Sequence, residues 1–244
     1  MKKIFYLILS FLIFVSATYS SDYGIYNPES YSKNFQTDNQ EKILFILDLS
    51  NSMNEPLEND TKFNLMIKTM HEILPKISPQ AMIGLRVYGH RMGFTPMEAC
   101  RASTLLSPIE SHNSDNISYA LSRHKPRGMT PITYSLKQAI KYDFMGFSGK
   151  KHIILMTDGG ENCDESPCSF VMKLVKIRRD VQIDVIAFNI KDSDDLKQLQ
   201  CTALVTSGKF YDAQTSAQLL DGFNKSINGI KNVEAKLILP TMKK

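Results

Sequence analysis

A short polar stretch that begins at Asp48 carries the side chains best suited to chemistry. Asp48, Ser50 and Ser52 occupy alternate positions directly after the apolar run 43–47. Such side chains can converge on one point in a turning loop, and their hard oxygen donors suit Mg²⁺, Mn²⁺ or Ca²⁺ rather than zinc or copper. Asp, Ser and Asn also hydrogen-bond to their own backbone in turns and helix caps. The stretch by itself therefore fits either a metal site or a turn.

Two further oxygen-bearing residues stand at other element boundaries. Thr130 precedes Pro131, which suits the first position of a helix, so that Thr130 could act as the helix cap. Asp158 follows the apolar run 153–156 and precedes two glycines, where it could simply form a turn. Their joint occurrence with the first stretch predicts a divalent-cation site whose ligands are Asp48, Ser50, Ser52, Thr130 and Asp158.

The elements that must position these residues alternate between strands and helices. Apolar runs too short for typical helices predict strands at 43–47, 82–88, 103–106, 153–156, 183–188 and 210–211. Apolar residues at helical spacing predict helices at 63–74, 131–140, 167–177, 193–205 and 216–230, with a weaker helix at 116–123. The alternation predicts an α/β fold, with a doubly wound, mostly parallel six-stranded sheet flanked by helices.

The predicted sheet would bring two of the candidate ligands together. In a sheet of strand order 3-2-1-4-5-6 the first and fourth strands are neighbours, and ligands bind outside their carboxyl ends. Asp48 and Asp158 follow those two strands. We therefore expect them to face each other at one edge of the sheet, with Thr130 entering the same crevice.

The amino terminus has the features of a secretory signal peptide. Lys2 and Lys3 precede an apolar run from Ile4 to Val15. That run is shorter than the about 20 residues that a membrane span needs, although an uncleaved anchor is an alternative. We place the cleavage after Ser20 in preference to Ala17. Export as a soluble protein, either periplasmic or secreted, is the favoured interpretation, and membrane contact would arise only through an uncleaved signal.

Composition divides the chain into one domain with short flanking pieces. We predict a signal peptide at residues 1–20, a polar linker at 21–41, the domain at 42–231 and a strand-like tail at 232–244. Removal of Lys2 and Lys3 with the signal takes the formal charge from +4 to +2. Neither basic stripes with aromatics nor a nucleic-acid-reading motif is evident, which argues against nucleic acid as a partner.

The cysteines favour disulfides over zinc. Their number is even in a chain that leaves the reducing cytosol, and they are Cys100, Cys163, Cys168 and Cys201. Zinc is disfavoured because Cys163 and Cys168 are five positions apart and the other two are distant in sequence. We expect two bonds and no free thiol. One pairing joins Cys163 to Cys168 and Cys100 to Cys201, and the alternative joins Cys168 to Cys201.

The candidate ligands resemble those of the von Willebrand factor A domain. Asp48, Ser50 and Ser52 stand where that family has Asp-x-Ser-x-Ser, residues 128–131 resemble its threonine loop, and residues 157–159 resemble its Thr-Asp-Gly. The resemblance covers residues 42 to about 230 and includes all five positions of the family's metal-ion-dependent adhesion site (MIDAS). Further segments resemble a secreted bacterial branch of the family, at 88–91, 158–163, 167–168, 201 and 208–211.

The resemblance implies a role for each ligand. Ser50, Ser52 and Thr130 would bind the metal through their hydroxyls, while Asp48 and Asp158 would act mainly through waters or exchange into direct contact. In this family the ion commonly takes a Glu or Asp carboxylate from a partner protein. Neutral hydroxyl ligands leave the ion with positive charge, and Mg²⁺ tends to keep an open position. We therefore expect a metal-dependent protein-binding domain for adhesion or assembly, with specificity supplied by loops that carry His90, Met129 and Asn162.

Two alternatives remain, a structural domain whose ion only staples two loops and a metal-dependent hydrolase. An open coordination position would distinguish adhesion from stapling. For a hydrolase the chain offers no Gly-x-Ser-x-Gly elbow, no phosphate loop and no general base beside the ion, although His90 lies near the predicted crevice. We therefore expect no enzymatic activity. The acidic stretch 192–195 is read as a helix amino terminus rather than a second cation site, and the sequence leaves partner identity and oligomeric state open.

Overall fold

This computed structural model describes residues 40–237, with side chains described up to residue 228. The predicted signal peptide, nearly all of the predicted linker and the end of the predicted tail lie outside the described residues. Eight strands are present in this part of the chain: β1 (Lys42–Asp48), β2 (Pro56–Leu57), β3 (Asp60–Thr61), β4 (Met82–Tyr88), β5 (Ser103–Glu110), β6 (Lys151–Thr157), β7 (Val181–Phe188) and β8 (Phe210–Ala213).

Seven α-helices flank the strands over the same residues. They are α1 (Lys62–Ile73), α2 (Pro96–Ala99), α3 (Ser114–Ser122), α4 (Ile132–Gln138), α5 (Pro167–Leu174), α6 (Ser193–Val205) and α7 (Ser216–Leu237). A π-helical turn, Ala139–Asp143, extends α4. No described helix combines the length and apolar character that crossing a membrane requires.

Six of the strands form one sheet in the order β5-β4-β1-β6-β7-β8. All neighbours run parallel except β4 and β5, which are antiparallel. The prediction of a doubly wound, mostly parallel six-stranded sheet is confirmed, including the adjacency of the first and fourth of its strands, β1 and β6. The strands of this sheet that follow β1 are added first on one side of it, as β4 and β5, and then on the other side, starting with β6. Strand order therefore reverses between β1 and β6, and the crevice for a ligand lies above that point.

The core lies on both faces of the sheet because the central strand is apolar at every position but its ends. On one face Phe45 packs with Met66 of α1 and Phe223 of α7 in a buried cluster. On the other face Ile46 packs with a cluster that includes Leu136 of α4 and Val171 of α5. A strand covered on both faces cannot alternate polar and apolar residues, which explains its continuous hydrophobic run.

Two elements extend beyond their predicted ends by at least four residues. β5 runs to Glu110 rather than ending near 106, and its Pro108 is accommodated because β5 is the edge strand of the sheet. α7 runs to Leu237, so residues 232–237, which were predicted to belong to a strand-like tail, are helical. Glu, Ala, Lys and Leu in this stretch are good helix formers, and the helix continues through them.

Candidate metal centre

Asp48 lies fully buried at the carboxyl end of β1, and both of its carboxylate oxygens accept hydrogen bonds. The backbone N–H of Ser50 donates to Oδ1 at 2.7 Å, and the hydroxyl of Thr157 lies 2.7 Å from Oδ2. Burial raises the pKa of Asp48 to about 7, and the negative charge of Asp158 adds to this effect. These two hydrogen bonds hold the side chain between the Ser50 segment and the end of β6.

Ser50, Ser52 and Asp158 form a chain of hydrogen bonds across the crevice. The hydroxyl oxygens of Ser50 and Ser52 are 3.0 Å apart, and the Ser52 hydroxyl donates to Oδ1 of Asp158 at 2.8 Å. Burial raises the pKa of Asp158, although Lys62 acts in the opposite direction. Residues that are 106 positions apart in sequence thus meet because β1 and β6 are neighbours.

The threonine loop, residues 128–131, is held against the end of β1 by backbone hydrogen bonds. Asn51 N–H donates to Gly128 O at 3.0 Å, and Gly128 N–H donates to Gly89 O at 2.7 Å. Gly89 has a φ of +70°, and a Cβ there would lie 2.5 Å from the backbone nitrogen of Ser50. Only glycine permits this close approach of three chain segments.

Thr130 is buried and lines the same crevice as Ser52 and Asp158. The crevice has a volume of about 370 Å³. Its backbone N–H donates to Oδ1 of Asn162 at 2.7 Å, which fixes the loop relative to the segment after β6. Thr130 is not the cap of α4, because that helix begins at Ile132 without any side-chain cap. The alternative in which Thr130 acts as the helix cap is therefore wrong, and the Thr130 hydroxyl makes no capping hydrogen bond to α4.

The donor set fits a hard divalent cation. Two buried carboxylates and three hydroxyl-bearing residues converge at one edge of the sheet. Oxygen-only donors suit Mg²⁺ and its relatives, and serine and threonine hydroxyls are poor ligands for softer metals. Among the described side chains no group of three or more His, Cys, Asp or Glu could hold a metal ion. A cation in this crevice would therefore depend on hydroxyl oxygens together with two carboxylates.

Two residues that sequence reasoning did not assign contribute to the site. The Lys62 ammonium lies 3.0 Å from Oδ2 of Asp158 and 2.7 Å from Oε2 of Glu55. The Thr157 hydroxyl lies beside Asp48, as described above. Thr157 adjoins Asp158 in the Thr-Asp-Gly motif, so the sequence contains a motif that could have identified Thr157 as part of the site. Lys62 carries none, because it is separated from Asp158 by 96 positions and is the first residue of an ordinary amphipathic helix.

The surrounding residues have mixed roles. The side-chain oxygen of Asn162 accepts the hydrogen bond of the Thr130 N–H, so Asn162 positions Thr130. Nε2 of His90 lies 3.1 Å from the Thr104 hydroxyl, and its ring meets His124 edge to face at 5.6 Å. Burial, with the nearby His124 and Arg91, lowers the pKa of His90 to about 4. His90 is thus neutral at neutral pH and contacts a strand and a histidine rather than the carboxylates.

The acidic stretch 192–195 forms a helix amino terminus. The carboxylate of Asp192 accepts from the N–H groups of Asp194 and Asp195 at 2.8 and 3.0 Å and so caps α6. Asp195 in turn accepts a hydrogen bond from Gly160 N–H at 3.1 Å. These carboxylates therefore stabilise backbone groups at the rim of the crevice.

All four cysteines form disulfides, as predicted, but the local pairing is wrong. Cys100 pairs with Cys163, with Cα atoms 5.5 Å apart, and Cys168 pairs with Cys201, with Cα atoms 5.4 Å apart. The alternative pairing of Cys168 with Cys201 holds because α5 and α6 pack side by side on the sheet. Cys163 instead joins the loop after β6 to the loop after β4, which lie on either side of the end of β1.

The chain is similar to a known protein family and to bacterial proteins of comparable length. The model of the von Willebrand factor type A domain matches residues 42–225. The uncharacterized protein YwmD of Bacillus subtilis (strain 168) is 28% identical over 208 residues, which cover 80% of this chain and 88% of that protein. A second protein of the same organism, YwmC, is 26% identical over 177 residues, or 71% of this chain and 77% of its own length.

Solved structures show the same fold at low sequence identity. Proximal thread matrix protein 1 (PTMP1) from the mussel byssus, in a structure with a zinc-occupied MIDAS motif, aligns with a TM-score of 0.57 and 21% identity. The alignment covers 80% of this chain and 46% of that one, so this chain spans less than half of PTMP1. The vWF domain of the type V pili tip protein Mfa5 from Porphyromonas gingivalis aligns with a TM-score of 0.55 and 15% identity, over 84% of this chain and 98% of that one.

Proposed function

The chain belongs to the von Willebrand factor type A domain family, and from this premise we propose that it is an exported protein-binding domain that grips a partner through a divalent cation. The partner would offer an Asp or Glu carboxylate. The observation that carries the proposal is the convergence of Ser50, Ser52 and Thr130 with two buried carboxylates at the carboxyl edge of the sheet.

Each residue of the site has a separate task in this proposal. Ser50, Ser52 and Thr130 would hold Mg²⁺ or Mn²⁺ through their hydroxyls, and Asp48 and Asp158 would act behind them. A bound ion of this kind supplies positive charge and an open position to an anionic ligand. Asp48 orients the Ser50 segment by accepting its N–H, and Asp158 orients the Ser52 hydroxyl. The protein thus holds the donors in place before any partner arrives.

The surface around the site supports a protein partner. The β4–β5 loop, residues 89–102, starts beside Ser50 and is joined to the loop after β6 by the disulfide Cys100 to Cys163. Phe94 on this loop is fully exposed, and Met92 and Met97 are also largely exposed. Exposed apolar side chains grouped beside a binding crevice are typical of protein interaction surfaces. The similar folds of a byssus matrix protein and a pilus tip protein are consistent with a role in adhesion or assembly.

An ion that only staples two loops is the less favoured function. The Asp48 segment and the threonine loop are already joined by the Asn51-to-Gly128 hydrogen bond. Gly128 is also bonded to Gly89, so that the loops have a direct attachment that needs no ion. A hydrolase is disfavoured because the histidine nearest the site, His90, bonds to Thr104 instead of facing the carboxylates.

Two features support an extracellular location. The two disulfides suit an oxidising compartment. The amino-terminal sequence has the pattern of a secretory signal, as described above. These features support our proposal that the domain is exported to the periplasm or out of the cell and is of a bacterial type with a complete MIDAS.

The test is capture of envelope or secreted proteins on the immobilised domain in Mg²⁺ and in chelator. Thr130→Ala and Ser52→Ala each remove one proposed metal ligand and should each reduce Mg²⁺-dependent capture at least about tenfold, which corresponds to about 1.4 kcal/mol. The melting temperature in chelator should change little, because the scaffold survives the loss of one hydroxyl. Ser122→Ala, which removes an exposed hydroxyl on α3, is the matched control and should capture normally.

The identity of the contact on the partner can then be checked directly. A captured protein should lose binding when one exposed Asp or Glu is changed to Asn or Gln. Equal capture in chelator, or undiminished capture by both folded hydroxyl variants, would rule out metal-mediated adhesion. A lower melting temperature in chelator with capture unchanged would favour the stapling ion instead.

A further inference from the structure

A buried lysine forms part of the wall of the candidate metal centre. Lys62 is the first residue of α1, and its side chain is 6% exposed. Its ammonium contacts Asp158 at 3.0 Å and Glu55 at 2.7 Å. The Lys62 N–H also donates to Glu55 O at 3.0 Å across the β2–β3 hairpin, which fixes where the side chain starts. The position of the ammonium is thus set both by the backbone hydrogen bond of Lys62 and by its two ion pairs.

The lysine divides the two oxygens of Asp158 between different tasks. Oδ2 faces the Lys62 ammonium, and Oδ1 accepts the hydrogen bond of Ser52. Asp158 therefore offers one oxygen to the crevice, and that oxygen is already engaged with a hydroxyl. Without the lysine, both oxygens would be available to a cation in the crevice.

The lysine also changes the charge of the site. Asp48 and Asp158 are buried and supply its two carboxylates. Lys62 brings one positive charge into ion-pair contact with this set, whereas Glu55 is 61% exposed and is largely screened by water. Opposite charges inside a protein interact far more strongly than they do at its surface. Lys62 thus offsets one carboxylate where the effect on a cation is largest.

We propose that Lys62 sets the charge of the metal centre, holding Asp158 back from direct bonding to the cation and lowering the affinity for that cation. The cation consequently keeps more of its positive charge for an acidic ligand. Metal affinity and ligand affinity then depend on Lys62 in opposite directions. The statement about metal affinity stands on the geometry alone, whereas the statement about the acidic partner rests on the proposed function.

The test is the affinity for Mn²⁺ alone, measured by titration calorimetry on the oxidised, folded chain. Lys62→Met removes the charge and keeps most of the length and apolar stem of the side chain. It should bind Mn²⁺ about tenfold more tightly, a change of about 1.4 kcal/mol. Lys68→Met is the matched control, because Lys68 is on the same helix and its ion pair with Asp60 is at the surface. Its Mn²⁺ affinity should match that of the unmodified chain.

A second variant keeps the proposal testable if Lys62→Met does not fold. Glu55→Gln removes the exposed partner of Lys62, so the ammonium pairs with Asp158 alone. It should weaken Mn²⁺ binding about two- to threefold, opposite in direction to the loss of the lysine. Unchanged or weaker Mn²⁺ binding by folded Lys62→Met overturns the proposal. If that variant is unfolded, unchanged or tighter binding by Glu55→Gln overturns it.

Partner capture separates this inference from the proposed function. Lys62→Met should capture the acidic partner less well in saturating Mg²⁺, although it binds the metal more tightly. If the unmodified chain shows no Mg²⁺-dependent capture, the proposed function fails, while the Mn²⁺ titrations still decide the role of Lys62. If capture by Lys62→Met rises together with its metal affinity, the link between lysine and ligand is wrong.

Discussion

Single side chains in this protein illustrate how the chemistry of a residue depends on its neighbours. Asp48 and Asp158 are both buried aspartates, yet their oxygens have different partners, with Ser50 and Thr157 against the first and Ser52 and Lys62 against the second. The spacing of the sequence predicts that both are ligands of one ion. Only the partners show that one carboxylate is held by neutral donors and the other by a charge.

His90 gives a prediction at the same scale, concerning pH and stability. Its folded pKa of about 4 lies below its ordinary value of 6.5, because burial disfavours the charged ring. Between these values the unfolded chain binds the proton and the folded chain does not. His90 therefore contributes stability above pH 6.5 that is lost as the pH falls towards 4. Because the ring is partly exposed and screened by solvent, the loss should be well below the about 3 kcal/mol that the full pKa difference would give.

The measurement is denaturant unfolding of the chain and of His90→Gln at pH 7 and pH 4.5, in chelator. The unmodified chain should lose more stability over this interval than the variant does. Comparing the two removes the opposing contribution of Asp48, whose raised pKa affects both equally. Equal losses in the two proteins would show that the proton taken up on unfolding belongs to another group.

Pairs of elements are joined by buried polar contacts as well as by the apolar core. Arg86 of β4 donates to both oxygens of Asp143 at 2.6 and 2.7 Å, and to the Ser103 hydroxyl of β5 at 2.9 Å. Both charged side chains are nearly fully buried. The contact ties the π-helical turn after α4 to two neighbouring strands, on the antiparallel side of the sheet.

Removing one member of this pair should be costly. Asp143→Ala leaves the Arg86 guanidinium buried without its partner, and we expect a loss of about 3 to 5 kcal/mol in the free energy of unfolding. Asp221→Ala removes an exposed partner of Lys225 and should cost less than about 1 kcal/mol. Denaturant unfolding measures both. A cost for Asp143→Ala as small as that for Asp221→Ala would mean that Arg86 finds another partner or reaches water.

For the whole molecule, the metal centre links distant parts of the chain. The candidate ligands come from segments around residues 50, 130 and 158, which approach one another only in the folded sheet. An unfolded chain offers no such arrangement. A cation that binds this site only in the folded chain therefore stabilises the fold by an amount that grows with the logarithm of its concentration above Kd, about 2.7 kcal/mol at 100 times Kd.

The corresponding prediction concerns the melting temperature of the oxidised chain. Mg²⁺ or Mn²⁺ at millimolar concentration should raise it in a concentration-dependent way, and Asp48→Ala or Asp158→Ala should abolish the increase. Asp115→Ala, which removes an exposed carboxylate on α3, should keep the full response. Calorimetry that detects no divalent binding to the folded chain would contradict the assignment of the site.

The strand order and the candidate ligands could be predicted from local sequence patterns. Fully apolar runs such as 43–47 are too short for typical helices and predict strands covered on both faces, and their alternation with helices leaves few topologies. Asp48 and Asp158 follow two such runs, so their meeting at one edge follows from local pattern and general topology. Both depend on short stretches of chain, and that is why they were predictable.

Features that depend on contacts between distant segments could be seen only in the folded chain. The cysteine pairing follows from which loops and helices lie side by side, and local spacing suggested Cys163 with Cys168 where the fold pairs each with a distant partner. The position of Lys62 beside Asp158 likewise depends on how α1 meets the end of β6. Neither the cysteine pairing nor the contact of Lys62 with Asp158 can be recognised from periodicity or local spacing in the sequence. The distance between two side chains in space is set by packing and not by their separation along the chain.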